Sequence, residues 1–132
     1  MILHTLKLNP GDDLRESIER FVKEKNISAG TVISGVAGLS KVHLRMAGAK
    51  SFKDLAGAHE LVSITGTVSA DDAHLHIAVS DEHGVTIGGH LANGCIVRTT
   101  AEVVVLEDES VVYTRVKDEQ TGFDELHVEP NR

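Results

Sequence analysis

Residues 2–8 alternate, with Ile2, His4, Leu6 and Leu8 on one side, which is the period of a β-strand. Asn9-Pro10-Gly11 breaks that strand. Asp12 or Asp13 can then cap a helix, and Asp13 to Glu16 has the spacing of a capping box. Leu14, Ile18, Phe21 and Val22 recur at i, i+4, i+7 and i+8, the apolar face of an amphipathic helix. Lys23 and Lys25 suit the negative end of its dipole, and Asn26 and Gly30 supply stop chemistry.

Everything after this single helix reads as β-structure. Residues 31–38 predict a glycine-interrupted strand, and 41–47 predict another with Val42, Leu44 and Met46 on one face. Residues 48–58 read as a small-residue loop holding Lys50 and Lys53. In 59–69, Val62, Ile64 and Val68 face one way and Ser63, Thr65 and Thr67 the other. Residues 73–80 alternate most cleanly, and Asp81-Glu82-His83-Gly84 is a hairpin turn with glycine at a left-handed position. Strands at 85–91 and 96–106 follow, and Asp108-Glu109-Ser110 turns the chain into a last strand near 111–117. The expected fold is α+β: a curved, mostly antiparallel mixed sheet of seven or eight strands with one main N-terminal helix packed on it. The domain is expected to span 1–117, with a polar, acidic C-terminal tail over 118–132 that is mobile at its end.

A chain of 132 residues, 41% of them hydrophobic, has room for one core and is too apolar for wholesale disorder. Its aromatic residues are Phe21, Phe52, Tyr113 and Phe123, too few to stack single-stranded bases on several platforms. Net charge is −7, which opposes broad phosphate binding. The lone Cys95 excludes an internal disulfide and any multi-cysteine zinc site, and reads as a small buried hydrophobe. No apolar run approaches the ~18–20 residues of a membrane helix, and the N-terminus lacks a signal-peptide pattern. The expected location is cytoplasmic.

Eight histidines are the feature that points to chemistry. In 73–80, period two sends Leu75, Ile77 and Val79 to the core, and His74 and His76 to the other face. Two such residues are rooted roughly 6.5–7 Å apart, close enough for both rings to reach one metal ion at about 2.0–2.1 Å. The hairpin returns residues 85–91 alongside them and offers His90, after Gly88-Gly89, as a third ligand. Three histidines with an open fourth position are a common way to hold catalytic zinc. Imidazole alone does not choose among Zn, Cu, Fe and Ni. Glu60 and Glu102 are candidates for a fourth ligand or a general base, although Glu102 can equally pair with Arg98 on the sheet surface. Arg45 or Arg98 could bind a substrate carboxylate. His4, His43, His59, His83 and His127 read as ordinary surface or turn residues.

The ordered motifs resemble the PPC family, the plant and prokaryote conserved domain. They are Pro10-Gly11-Asp12-Asp13-Leu14, Ser34-Gly35-Val36-Ala37-Gly38, Val42-His43-Leu44-Arg45, Glu60 to Gly66, His74-Leu75-His76, Gly88-Gly89-His90-Leu91, Gly94-Cys95-Ile96-Val97 and Thr100-Ala101-Glu102-Val103. The resemblance implies a stand-alone prokaryotic member, a homotrimer, and a metal held by His74, His76 and His90. It also implies a fold similar to acetolactate decarboxylase, a zinc enzyme with clustered histidines. Plant members carry AT-hooks that grip A·T-rich minor grooves, and prokaryotic members are commonly labelled DNA-binding. This sequence has no Arg-Gly-Arg hook core, and a trimer would triple its negative charge. Two readings follow: a trimeric, metal-stabilised module associated with DNA or regulatory proteins, or a zinc-type enzyme on a small polar or carbonyl substrate.

Overall fold

The computed structural model describes all 132 residues. It contains β1 (Ile2–Leu8), α1 (Leu14–Glu24), β2 (Gly30–Arg45), β3 (Phe52–Val68), β4 (Ala73–Ser80), β5 (Thr86–Leu91), β6 (Ile96–Glu107), β7 (Val111–Lys117) and β8 (Asp124–Pro130). The main sheet runs β1-β6-β2-β3-β4-β5, and all its pairings are antiparallel. A short extra ladder joins β5 back to β2, so β2, β3, β4 and β5 form a closed ring. Sheets curl this way when bulges add twist, and β2 shifts register between Val32 and Ser34, Ala37 and Leu39, and Leu39 and Lys41.

The helix forms as the periodicity predicts. Asp13 caps it, its carboxylate accepting from the Glu16 N–H at 3.0 Å. Asn26 takes a left-handed conformation, φ 55°, just beyond its C-terminus. Leu14, Ile18 and Val22 enter the core with Leu39, Leu44, Leu75, Val79, Leu91, Cys95 and Val97. The Asp13 carboxylate also accepts from the Gly94 N–H at 2.7 Å, tying the helix start to the segment before β6.

Several boundaries differ from expectation. The strands expected at 31–38 and 41–47 are one strand, β2, because bulges at Gly38 and Ser40 shift its register without ending it. The expected loop at 48–58 is a turn that ends at β3, which starts at Phe52. Val62 does not join Ile64 and Val68 in the core: a bulge between Leu61 and Ser63 turns it outward, leaving it 54% exposed. The strand at 111–117 is not the last, since the acidic segment after it folds back as β8 on β7 in a separate two-stranded sheet. The 81–84 turn is as expected, with Gly84 at φ 80°. No helix is long and apolar enough to cross a membrane.

Candidate metal centre

On β4, Leu75, Ile77 and Val79 are buried, so alternation presents His74 and His76 to the opposite face. The β4–β5 ladder sets His76 directly across from His90. Directly opposed residues in an antiparallel pair share a face. The three rings cluster with centroids 5.2 Å (His74–His76), 5.4 Å (His74–His90) and 5.7 Å (His76–His90) apart. One nitrogen from each lies within 4.8 Å of the other two.

Glycine makes this geometry possible at two places. Gly66 of β3 has φ 142°, and a β-carbon there would collide with the carbonyl oxygen of His74. Gly89 lies where a β-carbon would come within 2.9 Å of the Arg45 carbonyl oxygen. Its absence lets β5 approach β2, and Arg45 then pairs with His90 across that ladder. Thus His76, His90 and Arg45 form one row across β4, β5 and β2.

The row lies on the wall of a cavity of about 690 Å³. Arg15 of α1, Arg115 of β7, Asp72, Phe123 and the Asp124-Glu125 start of β8 complete the lining, with the 46–49 turn. Asp72 bridges two guanidiniums: Arg15 donates to it at 3.2 Å, and Arg115 lies 3.8 Å from its other oxygen. Burial lowers the His90 pKa to about 4, helped by the charges of Arg45 and Arg15. Burial, then Arg115, also lowers that of His74. Both rings are therefore neutral near pH 7, the form a metal requires. The buried His90 Nδ1 has no hydrogen-bond partner, as expected of a nitrogen reserved for an ion. The donor set fits a divalent transition metal.

The remaining candidates fall elsewhere. Glu60 is exposed on β3 opposite Ser80, and Glu102 is exposed on β6 opposite Lys7 and Val36. Neither lines the cavity, and Arg98 is exposed outside it too. Arg98 and Glu102 do not pair, correcting that expectation. Of the four, only Arg45 is brought to the histidines. The carboxylates that do line the cavity are Asp72, Asp124 and Glu125. All three escaped the sequence reading: Asp72 carried one signal, its place two residues before His74, and Glu125 carried none. The other histidines have ordinary partners: His4 meets Glu107 at 2.8 Å, His43 meets Asp54 at 2.5 Å and His127 meets Glu129 at 3.0 Å.

Fold and site together define a small antiparallel α+β domain with a three-histidine cluster in an open cavity. The chain belongs to the Plants and Prokaryotes Conserved domain family, whose model matches residues 1–109. It is 39% identical over 127 residues to the bifunctional protein GlmU of a Synechococcus strain, covering 96% of this chain and 20% of that protein. The chain thus spans about a fifth of the curated relatives it matches. A solved Salmonella enterica protein superposes with TM-score 0.96 at 35% identity, over 99% of this chain and 95% of that one. A metal-containing protein from Archaeoglobus fulgidus gives 0.84 at 28% identity, over 96% and 94%. A Bacteroides thetaiotaomicron protein, provisionally named as DNA-binding, gives 0.84 at 25% identity, over 95% and 91%. Bacillus subtilis alpha-acetolactate decarboxylase shares the fold at 19% identity and TM-score 0.52, over 80% of this chain and 52% of that one.

Proposed function

We propose that the chain is a three-histidine metal protein, of zinc type, that acts on a small polar molecule in the cavity beside its metal. The observation that carries this reading is the convergence of His74, His76 and His90 in the wall of an open cavity of ligand size. The metal-containing relative from Archaeoglobus supports it. His74, His76 and His90 would hold the ion. When bound, such an ion supplies Lewis-acid polarisation of a ligand oxygen. Glu125 of β8, which lines the cavity and whose charge acts on His74, would exchange a proton with a bound molecule. Purification without a histidine tag, followed by metal analysis, tests this. Near-stoichiometric metal, abolished by His76→Ala, is expected; a metal-free wild type after zinc loading would overturn it.

We also take the chain to be a homotrimer. Ile33, Val36 and Val62 leave apolar side chains exposed on β2 and β3, where a neighbouring copy could cover them. Light scattering should return three times the 14.2 kDa chain mass. The alternative function, association with DNA, is favoured by the naming of the Bacteroides relative and opposed by the net charge of −7. Titration of an A·T-rich duplex at low salt decides it: absence of binding there removes DNA as a direct partner.

A further inference from the structure

The cavity lining holds three guanidiniums, from Arg15, Arg45 and Arg115, against the carboxylates of Asp72, Asp124 and Glu125. Those six charges balance, so a divalent cation on the histidines leaves a positive surplus inside a chain that is −7 overall. The guanidiniums are not equivalent. Arg15 is committed: it donates to Glu19 at 3.0 Å, to the Leu91 carbonyl at 3.1 Å and to Asp72 at 3.2 Å. Arg115 is held by the Thr67 hydroxyl at 3.2 Å and by Asp72, although its Nε is buried without a hydrogen-bond partner. Arg45 makes no ion pair, although half-buried at the cavity wall.

A partly desolvated, unpaired arginine is costly unless an anion completes it. Its planar fork matches a carboxylate through two parallel hydrogen bonds. The ladder fixes Arg45 opposite His90, so an anion on Arg45 lies next to the histidine cluster. We propose that the cavity takes a small carboxylate-bearing molecule, with Arg45 as the residue that selects for its carboxylate. This rests on the metal reading for the site's chemistry, but the role of Arg45 is separable from it. Arg15 and Arg115 are both engaged by Asp72 in the cavity lining, which leaves Arg45 as the guanidinium without an ion pair. The 690 Å³ volume leaves room for a molecule of metabolite size beyond the carboxylate.

The test titrates glycolate, its methyl ester and inorganic phosphate into zinc-loaded and metal-free protein, following the arginine Nε–Hε signals by NMR. Glycolate should shift Arg45, the ester should not bind measurably, and Arg45→Met should weaken glycolate at least tenfold with zinc content unchanged. Arg45→Lys should fall between the two, because it keeps the charge and loses the fork. Equal binding of acid and ester, unchanged affinity in Arg45→Met, or binding of phosphate without glycolate would overturn the proposal. If zinc fails to load, the metal reading falls, and the same comparison in metal-free protein still decides the role of Arg45.

Discussion

Arg45 of β2 and His90 of β5 face one another across the short ladder that closes the strand ring. That single pairing gives His90 a cationic neighbour and places a guanidinium beside the histidine cluster. It depends on Gly89, where any side chain would press on the Arg45 carbonyl oxygen.

Gly89→Ala should therefore spread β5 from β2. The expected cost is about 1–3 kcal/mol of stability, read from the denaturant midpoint. Zinc affinity, read by competition with a chelating indicator, should fall about tenfold or more, as when outer supports of a metal site are removed. Unchanged affinity would mean that His90 does not rely on this ladder.

The titration of His90 links site to stability in the metal-free protein. Its folded pKa is lowered to about 4 by burial, Arg45 and Arg15, whereas an unfolded histidine titrates near 6.5. The neutral ring therefore contributes fully above about pH 6.5, and that contribution is lost as pH falls toward 4. The denaturant midpoint of metal-free protein should drop across this window. In Arg45→Met the His90 titration, followed by NMR, should move up and the drop should shrink.

Asp13 joins two jobs: it caps α1 through Glu16 and holds Gly94. Losing the cap costs about 1 kcal/mol, and orphaning the Gly94 N–H costs about 1–3 kcal/mol more. Asp13→Ala should thus lose about 2–4 kcal/mol, and Asp13→Asn should recover part of it. Equilibrium unfolding checks both.

Cys95 should be inert. Burial raises its thiol pKa to about 11, leaving almost no thiolate at pH 8. Labelling by an aromatic disulfide reagent should be about 100-fold or more slower in native than in denatured protein. The neutral thiol adds stability below the unfolded pKa, and this is lost as pH rises toward 11.

What was legible in the sequence was local. Strict alternation revealed β4 and the inward face of β1, the i, i+4, i+7 pattern revealed α1, and the 81–84 turn returned β5 so that His90 met His76. Bulges were not legible: the chain after Gly38 read as a break between two strands, and Val62 read as sharing a face with Ile64 and Val68, because one extra residue reverses a strand's faces. β8 was hidden by its acidic composition, since a hairpin outside the main sheet need not alternate strongly. Arg15, Arg115 and Glu125 come from elements distant in sequence, and only the tertiary fold brings them to one cavity. Glu102 sits between buried Ala101 and Val103, which turns it to solvent.

The central claim is that His74, His76 and His90 hold one metal ion. Anomalous diffraction at the zinc edge, from crystals of zinc-loaded, untagged protein, tests it most directly. The account predicts one strong peak per chain, about 2.0–2.1 Å from a nitrogen of each of the three histidines. No peak there, or an ion held by other residues with these three rings unligated, would contradict it.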